Sequence, residues 1–147
     1  MEKNRVVVTG LGVLCAVGND VPSFWQALKE GKSGVEILRT FDASKFDSYI
    51  AGEVKGFDPN LYGMSSKDTR RMDKFVQYAI AAATEAIRSS GLNLEREDRT
   101  RIGVIVGSGI GSLHTREEEH KVYLAKGPSR ISPFLIPMLI VTEASGH

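Results

Sequence analysis

Four groups of residues have types and spacings that chemistry could use: two glycine-rich turns, a histidine pair around three glutamates, one cysteine, and a run of cations. Glycine turns behind apolar runs can cradle a dinucleotide when glycines stand at relative positions one, three and six, the sixth letting a helix pack closely. Counting from Gly10 and Gly12, the sixth position is Cys15; counting from Gly107 and Gly109, it is Ser112. Gly31-Lys32-Ser33 echoes a phosphate-binding loop, but the first glycine of that loop would fall on Gln26. All three near-matches fail at the residue that carries the physics. His114 and His120 are six apart, whereas ligand pairs on a helix need spacings of three or four, so a solvated charged helix is the better reading and no metal site is expected. Cys15 lies in an apolar glycine loop with no histidine near it in sequence, which makes it a packed side chain rather than an activated thiolate.

The cations are more informative. If residues 66–90 form one helix, Lys67, Arg70, Arg71 and Lys74 share about 100° of arc, roughly opposite an apolar stripe of Met72, Phe75, Val76, Ala79, Ile80, Ala83 and Ile87. Positive charge in the first turns opposes the helix dipole, at some tenths of a kcal/mol per residue. Asp68 and Asp73 offset this only partly, so a cationic helix start is expected to meet an anionic partner.

The elements that must hold these residues alternate. Residues 5–8 read as a buried strand entering a turn. A helix starts near Asp20, with Pro22 in its first turn, Trp25 and Leu28 on one face, and Gly31 as its stop. A short strand is expected over 49–54. The long helix of 66–90 is capped by Ser65 or Ser66 and ended by Gly91, and alanines 81, 82 and 86 broaden its apolar face for tight packing. Residues 101–107 form a continuous apolar run of the kind covered on both sheet faces. A polar helix over about 115–125 stops at Gly127-Pro128, and a last helix runs from about 137 to 146. Strands alternating with helices predict a layered α/β fold, with fewer strands visible than such a sheet needs.

The bulk numbers set outer limits. A chain of 147 residues is about one domain, and its 41% hydrophobic content rules out a disordered or collagen-like chain. A net charge of +1 gives no global field for nucleic acid or an anionic membrane. One cysteine permits no internal disulfide, in keeping with a reducing cytoplasm. No apolar run is long enough for a signal peptide or a membrane span, so neither is expected.

Taken in order, the strings RVVVTGLGVLCAVGND, FWQALKEGKSGV, RRMDKFVQYAIAAATEAI, RIGVIVGSGIGSL and GPSRISPFLIPMLIV resemble the beta-ketoacyl-acyl-carrier-protein synthases, most of all the type II, long-chain elongating branch. The likeness covers nearly the whole chain. It implies a thiolase-like α/β/α fold, of which residues 1–147 are the amino-terminal, incomplete part. It further implies a cytoplasmic homodimer without a cofactor that transfers an acyl group to a cysteine and condenses it with malonyl carrier protein. The partners implied are acyl carrier protein and its malonyl and acyl thioesters. The nucleophilic cysteine and both catalytic histidines of the family fall beyond residue 147, so this chain alone is expected to be inactive. The resemblance assigns Lys67, Arg70, Arg71 and Arg130 to the surface facing the acidic carrier protein. It assigns Ile110 to the gate of the acyl pocket and Leu135 to a position reaching the partner subunit's pocket, where an apolar side chain suits an alkyl ligand. One departure stands out: Thr142-Glu143 replaces the family's usual Asn-Met, and a glutamate near a buried region is costly unless paired. Two competing readings remain, a non-catalytic partner subunit of the chain-length-factor type and a stand-alone carrier-protein binding module.

Overall fold

The computed structural model describes residues 5–147. The described chain divides into two compact units, residues 5–58 with Ala81–Asn93, and Pro59–Ile80 with Leu94–His147.

In the first unit, α1 spans Val21–Lys29. Its start is set by Asp20, whose carboxylate accepts the Ser23 N–H at 2.7 Å, and by Pro22 in the first turn. Gly31 ends it with φ 64°, a backbone angle that disfavours any side chain. The helix agrees with the sequence expectation, yet Trp25 and Leu28 stay 60% and 49% exposed while Ala27 is its buried residue. Strands β1 (Val35–Ile37) and β2 (Ile50–Gly52) pair antiparallel, with Glu36 opposite Ala51. β2 lies within the strand expected over 49–54.

Residues 10–13 lie against the second half of α3 (Lys74–Ser90). A Cβ at Gly12 would land on the Ala82 carbonyl oxygen, and one at Gly10 on that of Ala86. The Leu11 N–H donates to the Ser89 hydroxyl at 3.0 Å, and that hydroxyl lies 3.0 Å from the Leu11 carbonyl. Glu85 holds the same loop and the next helix together: one carboxylate oxygen accepts from the Val13 N–H (2.9 Å), the other from the Val21 N–H (2.7 Å). The glycines and alanines of this unit are thus matched to a backbone laid directly on a helix. Of alanines 81, 82 and 86, expected to pack tightly, Ala82 and Ala86 meet this loop and Ala81 is buried.

In the second unit, α2 is a single turn, Ser66–Thr69. The helix expected over 66–90 starts at its expected cap, Ser65, but breaks after Thr69 and restarts at a second cap, Asp73. Ser65 and Asp68 form a reciprocal capping box around α2. Asp73 then caps α3: its backbone carbonyl accepts from Val76 and Gln77, and its carboxylate accepts from the Phe75 N–H at 3.2 Å. The Gln77 side chain closes the gap by donating to the carbonyls of Thr69 (3.3 Å) and Met72 (3.1 Å). The apolar stripe is buried only in part, with Val76 fully covered and Ile87 41% exposed.

Helix α4 covers Leu113–Lys126 and ends at Gly127, with φ 79°. The carboxylate of buried Asp73 also accepts from the Thr115 hydroxyl, which ties α4 to the start of α3. The single terminal helix expected over 137–146 is two pieces, α5 (Leu135–Leu139) and α6 (Glu143–Gly146). The break falls on the β-branched run Ile140-Val141-Thr142, whose restricted χ1 lowers helix propensity.

Two expected strands are not formed. Residues 6–8 and 102–107 are not strands, and Val6, Val8 and Ile105 are 90%, 79% and 98% exposed. A strand needs a ladder partner, and the described residues contain one sheet, β1 with β2. Among the described residues no helix is long and apolar enough to cross a membrane.

Candidate functional site

The cationic residues do share one region, but not one helical face. Lys67 is in α2, Arg70 is the residue that ends it, Arg71 is in the connecting turn, and Lys74 opens α3. The 100° arc drawn from a continuous helix therefore does not exist. Instead, a capped turn presents the charges.

All four are exposed, and among the described residues none forms an ion pair within 4.0 Å. The nearby acids are engaged elsewhere. Asp68 accepts from the Ser65 hydroxyl (2.5 Å) and the Ser65 N–H (3.0 Å). Those hydrogen bonds, with the charges of Lys67 and Arg71, hold its carboxyl below the usual range. Asp73 is turned inward onto the α3 start and Thr115. The outward field of the turn is consequently positive.

Arg71 differs from the other cations in having an aromatic partner: its guanidinium carbon sits 4.7 Å from the centroid of the Phe134 ring. Phe134 immediately precedes α5 and is 36% exposed. Arg130 closes a 3-10 turn over Pro128–Arg130, and with Val122 and Lys126 it lines an open depression of about 660 Å³. Ile110 is 69% exposed on the glycine turn before α4, and Leu135 is half-buried as the first residue of α5. In that turn Gly111 is required as glycine, since its φ is 70° and a Cβ would lie 3.1 Å from Val141 Cγ2. Gly103, Gly107 and Gly109 face open space.

The remaining candidates resolve as structural. Cys15 is half-buried in a turn whose backbone bridges to Gly18. It borders a depression of about 330 Å³ that also touches Lys32 and Lys55, but both lysines are already ion-paired at 2.5 Å, to Glu30 and Glu36. No unpaired cation there would stabilise a thiolate. His114 and His120 are exposed on α4, and His120 stacks on Tyr123 at 6.4 Å. No cluster of three metal-ligating side chains exists among the described residues. The unusual Glu143 is half-buried rather than fully buried, and its carboxylate lies 3.4 Å from His147 Nε2 one helical turn on.

Sequence reasoning missed Glu85, Phe134 and the capping role of Asp73. Asp73 carried a signal, an aspartate directly before an apolar-periodic run. Glu85 carried none, because its two N–H partners lie 72 and 64 residues earlier.

The profile of the family described as "Beta-ketoacyl synthase, N-terminal domain" matches residues 3–147. The chain is 49% identical to the 3-oxoacyl-acyl-carrier-protein synthase 2 of Vibrio cholerae serotype O1 over 147 residues, covering 100% of this chain and 35% of that protein. It therefore spans about a third of the length of such relatives. Its fold matches "The ishigamide ketosynthase/chain length factor" with a TM-score of 0.77 at 28% identity, over 94% of this chain and 34% of that one. It also matches a "type II PKS acyl-carrier protein in complex with its ketosynthase bound to the hexaketide", with a TM-score of 0.75 at 24% identity, over 95% and 37%. The fold is that of the amino-terminal part of these thiolase-like ketosynthases.

Proposed function

The chain belongs to the beta-ketoacyl synthase family, and from that premise we propose that it is the amino-terminal part of an enzyme that lengthens carrier-protein-bound acyl chains. The reaction is a decarboxylative condensation. A cysteine thiolate attacks the acyl thioester and displaces the carrier's thiol, and malonyl carrier protein loses carbon dioxide to give a carbanion. That carbanion attacks the acyl-cysteine thioester, forming the new carbon–carbon bond as the C–S bond breaks and the cysteine thiolate leaves. In this reading the cysteine and two histidines are supplied outside residues 1–147, and the enzyme works as a cytoplasmic homodimer without a cofactor. Ile110 and Leu135 border the alkyl chain, consistent with their apolar side chains. Lys67, Arg70, Arg71 and Arg130 receive the carrier protein.

The observation that carries the reading is the α2–α3 turn. Three cations stand exposed there while the two neighbouring carboxylates are committed to capping bonds. An acidic protein can approach that surface without displacing an existing ion pair, and long-range attraction raises its encounter rate. The solved ketosynthase bound to an acyl-carrier protein, which shares the fold, supports the same pairing.

The test is the double substitution Arg70→Glu, Arg71→Glu in the full-length protein. KM for carrier-bound substrate should rise by about tenfold or more, as expected when exposed charges of a docking site are reversed, with an unchanged melting temperature. An unaltered KM would remove the docking role. A second reading is favoured by the ketosynthase/chain-length-factor match. There the same surface would belong to a partner subunit that lacks the nucleophile, and acylation of the full-length protein by a cysteine-trapping inhibitor separates the two.

A further inference from the structure

We infer that Phe134 is a positioning residue for the docking surface, its ring lying beneath the Arg71 guanidinium and fixing where that charge is presented. This rests on the carrier-protein reading above and deepens it. Arg71 lies in a turn braced by Gln77, whose amide donates to the carbonyls of Thr69 and Met72 on either side. Its guanidinium is 4.7 Å from the Phe134 centroid, inside the range of a cation–π contact. The ring is itself held by its backbone. The Ser132 N–H donates to Glu119 of α4 at 2.8 Å, and the Phe134 N–H donates to the Ser132 hydroxyl at 3.2 Å. A chain of restraint thus runs from α4 through the Ser132 turn to the ring.

The chemistry fits a preorganised anion receiver. A guanidinium seated over an aromatic ring is already placed when a carboxylate or phosphate of the partner arrives, whereas a free long side chain would have to be ordered on binding. An ammonium cannot stack in this way, so arginine is called for at position 71 where lysine would serve for charge alone. The partner's chemistry is that of an acidic helix or a phosphorylated prosthetic arm; both belong to one carrier protein.

The experiment is a binding series in the full-length protein, with the apo form of an acyl carrier protein as the probe and Kd read by calorimetry. Phe134→Leu should weaken binding about two- to fivefold, the factor that corresponds to an exposed cation–π contact. Phe134→Tyr and Phe134→Trp should restore it, and Arg71→Lys should weaken it although charge is kept. In an Arg71→Ala background Phe134→Leu should add nothing further, because the ring acts through Arg71. If Phe134→Leu is silent while the Arg70→Glu, Arg71→Glu pair weakens binding, the docking reading stands and the inference falls. If Phe134→Leu weakens binding equally without Arg71, or the aromatic replacements fail to restore it, the ring serves packing and the inference is overturned. If neither the ring nor the arginines matter, both fall.

Discussion

Gly12 offers the sharpest test of how the loop of residues 10–13 is held. A methyl group there would fall on the Ala82 carbonyl oxygen, 2.8 Å from the Ala82 carbonyl carbon and 2.9 Å from the Ala86 nitrogen. These are backbone atoms in the interior of α3, which cannot yield without opening the helix's own ladder. Overpacking typically costs about 1–3 kcal/mol, and an unyielding neighbour puts Gly12→Ala at about 3 kcal/mol. Two other glycines separate sterics from conformation. Gly31 faces open space but has φ 64°, so Gly31→Ala should cost about 1–2 kcal/mol from the left-handed backbone alone. Gly103 has open space and no positive φ, so Gly103→Ala should be neutral or stabilise by about 0.4–1 kcal/mol through the unfolded chain. At roughly 3 °C per kcal/mol for a chain of this size, thermal melts should rank the variants with Gly12→Ala lowest by about 9 °C. A Gly12→Ala melt within about 2 °C of wild type, less than one kcal/mol on that scale, would refute the packing argument. The same series bears on the discarded dinucleotide reading. A phosphate-approach glycine would lose a nucleotide-induced shift on substitution, whereas the fold here predicts no such shift to lose.

Three further outcomes are expected. Glu85→Ala leaves the half-buried N–H groups of Val13 and Val21 without their acceptor and should destabilise by about 2 kcal/mol, with Glu85→Gln intermediate because one oxygen remains; equal stability of all three in urea denaturation would contradict the clamp. The carboxyls of Asp20 and Asp68 are held below their ordinary 3.8 by hydrogen bonds from Ser23 and Ser65, so the folded state binds their protons less readily than the unfolded one. Their contribution is therefore complete above about pH 3.8 and is lost as pH falls through the lower folded values; carboxyl NMR titrations with midpoints at or above 3.8 would reverse that sign. Purified residues 1–147 should form no carbon–carbon bond with acyl and malonyl carrier proteins, and measurable 3-oxoacyl product would overturn the placement of the catalytic set elsewhere.

Local signals were legible where one residue type has one physical use. Asp20, Pro22 and Gly31 marked α1, and Gly127 marked the end of α4, because caps and left-handed stops are chain-local. The cap at Ser65 is legible in the sequence and forms as expected, but the break after Thr69 is not, because the apolar periodicity runs on through Met72 while the second cap, at Asp73, acts through hydrogen bonds that periodicity does not register. The segments at residues 6–8 and 102–107 have the composition of buried strands, but composition cannot supply a neighbour, and a strand exists only with one. The glycines at 10 and 12 fail the dinucleotide spacing, and the sequence offers no other reason for them. Their reason is a helix backbone 70 or more residues further along the chain, and no local pattern discloses that. The dipole argument for the basic cluster assumes one continuous helix over 66–90; the cations instead stand in and around the α2–α3 turn, so that argument does not apply as drawn.

That discontinuity strengthens the case for docking. On an unbroken helix, Lys67, Arg70 and Arg71 would sit in the first two turns and repel the dipole. Asp68 and Asp73 would be drawn towards them as neutralising partners. The break gives each aspartate a different task. Asp68 closes the box on Ser65, and Asp73 is buried against the start of α3 and Thr115. Each carboxylate then serves the N-terminus of a helix, where negative charge is favourable, and neither forms an ion pair within 4.0 Å of the cations beside it. A turn that needed its charges only for its own stability would pair them. This one stabilises itself with hydrogen bonds from Ser65 and Gln77 and leaves Lys67, Arg70 and Arg71 facing outward. Weakening the internal bonds should therefore reduce carrier-protein affinity even when no cation is changed. Gln77→Leu is the direct case: it removes the brace on the Thr69 and Met72 carbonyls without altering charge. At about 1 kcal/mol for the lost hydrogen bonds, part of it expressed in the orientation of Arg71, affinity should fall a few-fold. An affinity unchanged in Gln77→Leu, with Arg70→Glu, Arg71→Glu still disruptive, would mean that the turn's charge matters and its rigidity does not.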